Sequence, residues 1–547
     1  MLGNRFENIS LKGDIFGGVT TAIISLPLAL AFGVASGAGA EAGLWGAIMV
    51  GFFAALFGGS TTLISEPTGP MTVIMTAVLT SMMAKYPETG MAMSFTVVMM
   101  AGAFQVLLGS LKLGKYVTLM PYSVISGFMS GIGVILIILQ LSPLLGHSAP
   151  PGGVIGTLSV LPNTLANISF SELLLGLLTL GVLFFFPKRY RKYVPAQLVA
   201  LVAVTLLSVA LFDTESIRRI GEIPAGLPSL VLPHFNSEML TTMVIDALVL
   251  GTLGCIDTLL TAVIGDSLTR KEHDSDKELR GQGIANIISG LFGALPGAGA
   301  TMGTVTNIQV GARSPVSGMV RALVLALVVL VAGGLTEPIP MAVLAGIAVY
   351  VGFNILDWSF IQRAHKVSIQ GMIIMYGVMF LTVFVDLIVA VGLGVFISNI
   401  IVIEELSRAQ ARQVKAISDT DNDVPLTDNE RAILDKANGK VLFFYLSGPM
   451  IFSVSKAISR QHSSISDYQV MILDLTDVPM IDVTVGLALE NAIKDALDAK
   501  CEVLLLCPNN ETRQQLKKLN VLDLISNNNH YTSKEQALQS ALNHVST

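Results

Sequence analysis

The sequence predicts a polytopic α-helical membrane protein that ends in a small cytoplasmic α/β domain. Hydrophobic residues make up 52% of the 547 residues, charged residues make up only 13%, and the mean hydropathy is +0.68. A soluble globular protein carries about twice that share of charge. Apolar runs such as 122–142 and 242–264 are long enough to cross a hydrocarbon core about 30 Å thick. The net charge of −6 gives no indication of nucleic-acid binding.

Fourteen membrane segments are predicted from the apolar runs. They begin near residues 15, 44, 70, 91, 121, 172, 194, 242, 283, 301, 317, 339, 371 and 389. Seven of them precede the loop at 213–241 and seven follow it. Because a repeat with an odd number of segments reverses its orientation in the membrane, the halves are predicted to form a seven-plus-seven inverted repeat.

The distribution of basic residues predicts the orientation of these segments. The outer loops hold little beyond Lys85, Arg218 and Arg219. The inner loops contain Lys112, Lys115, Lys188, Arg189, Arg191, Lys192, Arg270, Lys271, Lys277, Arg280, Arg313, Arg363 and Lys366. An excess of Lys and Arg marks the cytoplasmic side, so both termini are predicted to be cytoplasmic in a multi-pass protein of the plasma (inner) membrane.

Two segments, near 70–83 and 301–312, are too short to span the membrane and are predicted to be half-helices. Each follows a Gly/Pro-broken passage, and the two motifs resemble each other: LFGGSTTLISEPTGPMTV at 56–73 and LFGALPGAGATMGTV at 291–305. Paired, interrupted segments in corresponding halves of a membrane chain point to the binding site of a transporter. Close packing of helices through small residues is the alternative explanation.

The start of each half-helix offers groups that could bind an anion. A helix N-terminus presents unpaired N–H groups and about half a unit of positive charge, so two facing ends suit a small monovalent anion. The nearest residues are Thr68, Gly69, Thr72, Ala300, Thr301 and Thr304. Thr also packs well between membrane helices, so each of these hydroxyls could instead be structural.

Asp257 lies well inside an apolar run, where a carboxylate costs about 2.5–3.5 kcal/mol on insertion scales and is expected to face a cavity. Thr261 lies one helical turn later on the same face. Asp246 shares that face but lies near the outer end, where an interfacial role is the alternative. Since 60–84 and 283–312 contain no Lys or Arg, the charge of Asp257 is predicted to be neutralised by Na⁺ or by a proton. Cation entry would also favour the anion, which is a basis for symport.

The composition changes after about residue 405. The predicted domains are a transmembrane transport domain at 1–407, a charged linker at 408–436 and a water-soluble domain at 437–547. Strands at 441–446, 469–475 and 501–507 alternate with helices at 453–461, 485–497 and 511–519. The three cysteines have neither metal-ligand spacing nor a disulfide pattern, and no cofactor is predicted.

Several motifs together resemble the SulP family (solute carrier family 26) over essentially the whole chain. They are GDIFGGVTTAIISLPLALAFGVASGAGAEAGL, SEPTGPMTV, LGCIDTLLTAVIGDSLT, GAGATMGTVTNIQ, LSGPMIFS and DLTDVPMIDVTVGLALEN. This resemblance implies a core domain that moves against a gate domain and a cytoplasmic STAS domain that commonly mediates dimerisation. The chain is therefore expected to be a homodimeric transporter in the lipid bilayer and not an enzyme.

Within that family the motifs look closest to the sodium-dependent bicarbonate branch. The resemblance implies that bicarbonate binds at Thr68 and Ala300. It implies that Na⁺, as the coupling ion, binds at Asp257, Thr261, Gly299 and Thr301. It also places Thr484 near a position that related regulators phosphorylate, with a structural helix cap as the alternative.

The leading hypothesis is therefore Na⁺-coupled uptake of bicarbonate by alternating access. Proton-coupled uptake of sulfate or a dicarboxylate is an alternative, because the sequence does not give the size of the pocket. A passive anion channel and a membrane sensor belong to other functional classes. The buried Asp257 argues against the channel, since an uncompensated carboxylate repels anions. No segment resembles a signalling output that would support the sensor.

Overall fold

The computed structural model describes residues 10–117, 121–191, 194–213, 216–221, 226–385, 387–411, 414–418, 424–450, 455, 458 and 468–546. The chain divides into two compact units, the first ending at Ser398 and the second beginning at Asn399. The domain boundaries drawn from the sequence, 1–407, 408–436 and 437–547, remain predictions.

The first unit is helical. Its first half contains α1 (Leu11–Ser36), α2 (Ala40–Phe57), α3 (Gly69–Lys85), α4 (Gly90–Ser110), α5 (Gly114–Val117), α6 (Tyr122–Leu139), α7 (Leu141–Leu144), α8 (Gly153–Ala166), α9 (Phe170–Phe185), α10 (Lys188–Arg191) and α11 (Ala196–Leu211). Its second half contains α12 (Leu240–Thr269), α13 (Ser275–Leu291), α14 (Thr301–Gln309), α15 (Val316–Ala332), α16 (Met341–Ile355), α17 (Trp358–Val367), α18 (Ile369–Phe384) and α19 (Leu387–Ala411), the last of which continues past Ser398. A helix encloses each of the predicted segment starts or begins within two residues of it.

Helix lengths separate full spans from shorter elements. Among the described residues, five helices are long and apolar enough to cross a membrane, namely α1, α2, α4, α12 and the run Tyr122–Leu144 that contains α6. Helices α8 and α9 are bent against each other by 116° and together could form one more span. Helix α14 has nine residues and is therefore about 14 Å long. It is too short to span, as the sequence predicts, whereas α3, predicted as an equally short half-helix at 70–83, has 17 residues and is about 26 Å long. The count of fourteen membrane segments remains a prediction.

The two interrupted segments meet through a pair of short strands. Strand β1 (Ser65–Glu66) runs into α3, and strand β2 (Ala298–Gly299) runs into α14. The strands pair antiparallel, Ser65 opposite Gly299 and Glu66 opposite Ala298. Pro70 stands in the first turn of α3, where its missing N–H disrupts no helical hydrogen bond. The antiparallel pairing places equivalent parts of the two halves side by side in opposite directions, as an inverted repeat requires.

The second unit is built on a five-stranded sheet with the order β3-β4-β5-β6-β7. Its strands are β3 (Val414–Ile417), β4 (Val441–Ser447), β5 (Val470–Asp477), β6 (Glu502–Leu506) and β7 (His530–Tyr531). Its helices, besides the end of α19, are α20 (Asp428–Lys436), α21 (Val483–Asp498), α22 (Asn510–Lys518) and α23 (Lys534–Ser546). Strand β3 is antiparallel to β4, and the other neighbours are parallel.

Both faces of this sheet are covered. Alternate residues of β4 point to opposite sides: Phe444 packs with Leu473 and Leu489 on one face, and Phe443 packs with Ile472 on the other. A strand buried on both faces is apolar throughout, and β4 reads VLFFYLS. The predicted core strands and two of the predicted helices are present, whereas the predicted helix at 453–461 falls almost entirely outside the described residues.

The segment predicted as a linker, 408–436, contributes β3 and α20 to the second unit. Helix α20 buries Ile433 and Leu434, and most of its other residues are charged or polar. Two apolar residues in such a segment are too few to predict a packed helix from the sequence. Strands β3 and β7 are too short to give a clear alternating pattern, and α23 was also not predicted. The alternative reading of Thr484 as a helix cap is wrong: the cap of α21 is Asp482, whose Oδ1 accepts a hydrogen bond from the N–H of Val485 at 2.8 Å.

Candidate substrate and cation site

The strand pair fixes where the two half-helices begin. The N–H of Ala300 donates to the carbonyl oxygen of Ile64 at 2.7 Å, which extends the pairing of β1 and β2 up to the first residue before α14. On the other side, Thr68 directly precedes α3. Consequently the N-terminal ends of α3 and α14 reach the same region of the first unit, as the paired motifs predict.

Both helix ends present first-turn N–H groups for which the described residues supply no acceptor. The N-cap residues Thr68 and Ala300 have extended backbone, and neither side chain caps its own helix. Ala300 has no side-chain acceptor at all, and the hydroxyl of Thr68 is directed elsewhere. First-turn N–H groups without an acceptor bind anions, and each helix end adds about half a unit of positive charge.

Asp257 of α12 lies beside the first of these ends. The Thr68 hydroxyl donates to Asp257 Oδ2 at 2.8 Å. Among the described residues no Lys or Arg forms an ion pair with Asp257. A carboxylate that receives a hydrogen bond only from a neutral hydroxyl in an apolar surrounding retains a full charge to be compensated.

A group of oxygens lies next to Asp257 where α12 contacts β2. The Thr261 hydroxyl donates to the carbonyl oxygen of Gly299 at 2.9 Å and lies 3.0 Å from the hydroxyl oxygen of Thr301. A Cβ at position 299 would lie 3.1 Å from both Thr258 Cα and Thr261 Cβ, so glycine permits this close approach. Carboxylate, hydroxyl and carbonyl oxygens are the ligands that hard cations prefer.

These groups surround a cavity of about 520 Å³. Of the six residues assigned to bicarbonate or Na⁺, all line it except Thr261, which is buried behind Gly299 and Thr301. Its remaining wall is mostly apolar and includes Leu28, Phe32, Met129, Val305, Val351, Asn354 and Ile355. A largely apolar pocket with a few convergent polar groups is typical of small-molecule sites.

Gly69 also lines the cavity, whereas the other candidates from the sequence, Thr72, Thr304 and Asp246, do not. The Thr72 hydroxyl donates to the carbonyl oxygen of Thr68, and the Thr304 hydroxyl accepts from the N–H of Ile64, so both stabilise the local backbone. The structural interpretation therefore applies to Thr72 and Thr304.

The sequence interpretation missed an ion pair behind the site. Glu66 lines the cavity, and its Oε2 accepts a hydrogen bond from Arg321 Nη2 at 2.6 Å. Residues 60–84 and 283–312 indeed contain no Lys or Arg, but Arg321 reaches β1 from α15. An arginine within the apolar run MVRALVLAL was the available signal, because a charged residue at such a position requires a partner.

Comparisons with known proteins match the two units separately. Residues 11–378 match the sulfate permease family, and residues 432–537 match the STAS domain. The chain belongs to the sulfate permease family. Its cavity therefore lies in the transporter part of a sulfate permease family protein, followed by a STAS domain.

Two curated relatives are similar over almost the whole chain. The bicarbonate transporter BicA of Synechocystis sp. is 58% identical over 539 residues, which cover 98% of this chain and 96% of the relative. The bicarbonate transporter BicA of Picosynechococcus sp. is 56% identical over 543 residues, with the same two coverages. These sulfate permease family relatives are named as transporters and not as enzymes.

Solved structures share the fold. The transmembrane domain of a cyanobacterial bicarbonate transporter BicA superposes with a TM-score of 0.69 and 62% identity, covering 72% of this chain and all of that one. Murine Solute Carrier 26 family member A9, an anion transporter in the inward-facing state, gives a TM-score of 0.82 at 20% identity over 98% of this chain and 92% of that one. The second similarity shows the common sulfate permease family fold alone.

Proposed function

We propose that the protein takes up bicarbonate together with Na⁺ by alternating access. The observation that carries this proposal is the position of Asp257, a carboxylate without a basic partner among the described residues that lies beside two helix N-termini and a group of neutral oxygens. The helix ends attract an anion, and the carboxylate requires a cation. The relatives that are 58% and 56% identical are named as bicarbonate transporters.

In this proposal Na⁺ binds at Asp257, Thr261, Thr301 and the carbonyl oxygen of Gly299, and bicarbonate binds at Thr68 and Ala300. The uncompensated charge of Asp257 would repel the anion by about 3 kcal/mol at about 5 Å with an effective dielectric constant near 20. Na⁺ removes that repulsion, so cation binding strengthens anion binding by roughly two orders of magnitude.

The Thr68 hydroxyl offers a second link between the two ions. Without a cation, it donates its proton to Asp257, as the 2.8 Å contact indicates. Once Na⁺ satisfies the carboxylate, the same hydroxyl becomes available to an oxygen of bicarbonate at the end of α3. One donor would then serve the carboxylate in the empty site and the anion in the loaded site.

Alternating access is supported by the packing on the two sides of the cavity. Helices α2, α4 and α12 all pack against α13, and α6, α9, α16 and α18 form a second packed group. Asp257 and Thr301 line the cavity from α12 and α14, whereas Met129 and Asn354 line it from α6 and α16. Movement of one group against the other would open the cavity to either side of the membrane.

We further infer that the chain works as a homodimer through its STAS domain in the plasma (inner) membrane, with both termini in the cytoplasm. The bias of Lys and Arg towards one set of loops supports the orientation. Cross-linking of the full-length chain in native membranes would test the dimer. Proteolysis of the C-terminal domain in sealed vesicles of known sidedness would test the orientation.

Uptake into proteoliposomes tests the transport proposal. Radiolabelled bicarbonate should accumulate when an inward Na⁺ gradient is imposed and should not accumulate when choline replaces Na⁺. Accumulation of sulfate or a dicarboxylate driven by a proton gradient would instead support the proton-coupled alternative. Rapid equilibration of bicarbonate across the membrane, with neither a Na⁺ gradient nor a proton gradient imposed, would indicate a passive channel.

A further inference from the structure

Two carboxylates line the cavity, those of Asp257 and Glu66, and they differ in the charge of their partners. Asp257 receives one hydrogen bond from the neutral hydroxyl of Thr68. Glu66 is paired with Arg321, with 2.6 Å between Oε2 and Nη2. The pair is enclosed, since the exposed fractions of the Arg321 and Glu66 side chains are 0% and 6%. The site therefore contains one carboxylate whose charge is compensated, Glu66, and one whose charge is not, Asp257.

Arg321 is held in place by more than its ion pair. Its Nε donates to the hydroxyl of Ser25 at 2.9 Å, and its Nη1 donates to the carbonyl oxygen of Ser65 at 3.0 Å. Gly51 provides the necessary space, because a Cβ at that position would lie only 2.4 Å from Nη1. The guanidinium group is thus fixed behind β1, with a donor directed at Glu66.

We propose that Arg321 sets the number of cations bound in the site at one, because it cancels the charge of Glu66 and leaves only Asp257 to attract a cation. A second unpaired carboxylate in this enclosed cavity would require a further cation or a proton, since an isolated buried charge is very costly. This inference rests on the proposed Na⁺ coupling and specifies its stoichiometry. Arg321 acts through Glu66 and is a positioning residue.

Three variants of the full-length chain separate charge from geometry. Glu66→Gln leaves the arginine charge uncompensated and should raise the half-saturating Na⁺ concentration of bicarbonate uptake about tenfold or more. Arg321→Gln leaves the glutamate charge uncompensated and should lower that concentration, or raise the Hill coefficient for Na⁺ above its wild-type value of about 1. The double variant E66Q/R321Q has the wild-type net charge and should remain within about fivefold of wild type.

A structural role for the ion pair makes a different prediction. The double variant loses the same ion pair as both single variants, so a purely structural defect would move all three Na⁺ constants in one direction, with the double variant among the most affected. Glu172→Gln is the matched control. It removes the buried carboxylate partner of Arg218, whose Nη2 lies 2.7 Å from Glu172 Oε2, and neither residue lines the cavity. Its Na⁺ dependence should match wild type.

The outcomes are distinguishable after reconstitution of equal amounts of monodisperse protein. Opposite shifts in the single variants and recovery in the double variant support the inference. A shift of the half-saturating Na⁺ concentration in the same direction and of equal size in all three variants overturns it. If the single variants do not fold, the double variant decides: a Na⁺ constant more than about fivefold above wild type overturns the inference, and a smaller change supports it. Na⁺-independent uptake by the wild-type chain would instead refute the proposed coupling itself.

Discussion

Asp257 and Thr261 are the site residues that could be predicted from the sequence of a single helix. Both could be predicted from one apolar run, because a charge inside such a run and a hydroxyl one turn later must share a face. Contacts between side chains of different segments could not be predicted in this way, because the two partners are distant in sequence. Thr68 lies 189 positions away from Asp257, and Arg321 lies 255 positions away from Glu66.

Replacing Asp257 by Asn should abolish Na⁺-driven bicarbonate uptake with little change in folding. Asn keeps the size of the side chain and an acceptor for the Thr68 hydroxyl, but it removes the charge that attracts the cation. Uptake in proteoliposomes with and without a Na⁺ gradient is the measurement. Asp246→Asn on the same helix is the control and should retain coupling, and Na⁺ dependence surviving in the Asp257 variant would contradict the cation site.

Enlarging Ala300 to Leu should abolish bicarbonate binding and affect Na⁺ binding less. The larger side chain occupies space at the start of α14 without removing any main-chain donor, whereas the oxygens proposed for Na⁺ lie at Asp257 and Thr261. Calorimetric titration with each ion measures the difference. Ala300→Gly adds no volume and should bind bicarbonate more tightly than the Leu variant; equal affinities for all three proteins would exclude an anion between these helix ends.

At the scale of elements, the chain breaks before α3 and α14 could be predicted because both carry a repeated Gly/Pro signature, but the 17-residue length of α3 could not. The strand pair β1 and β2 that joins them could not be predicted, since two strands of two residues each have no readable period. The core strands β4, β5 and β6 could be predicted from their continuous apolar runs. Elements packed through one or two residues, such as β3 and α20, were hidden by their charged neighbours.

The cap of α21 leads to a local prediction. Asp482→Ala removes the acceptor for the Val485 N–H and should destabilise the start of this helix by about 1 kcal/mol. Amide hydrogen exchange of the first turn, measured in the full-length protein, should accelerate about fivefold. Thr484→Ala is the control, since the described contacts give Thr484 no capping role. Equal acceleration in both variants would contradict this assignment.

At the scale of the whole molecule, the proposed ion sites lie entirely within the first unit. Removal of the chain after Ala411 should therefore leave a protein that still binds bicarbonate in the presence of Na⁺. Calorimetry on the truncated and intact chains should give the same affinity within error. Loss of binding in a monodisperse truncated protein would show that the site is not self-contained.

The position of the cut matters. Truncation at Val441 would keep β3 and α20 but remove β4, against which β3 pairs, and would uncover Ile433 and Leu434. Exposed apolar residues and an unpaired strand edge favour aggregation. The shorter chain that ends at Ala411 should consequently give more monodisperse protein than the longer one, as size-exclusion chromatography would show.

Main-chain pairing between β1 and β2 also bears on leakage. Thr68 follows β1 by two residues, and Ala300 follows β2 directly, so the paired strands join the two anion-facing helix ends to each other, with the Ala300 N–H donating to the carbonyl oxygen of Ile64. In the proposed mechanism neither helix end can change sides of the membrane separately without breaking this pairing. Both ends of the site then face the same side of the membrane at any moment, so an ion held between them has no continuous path from one side to the other.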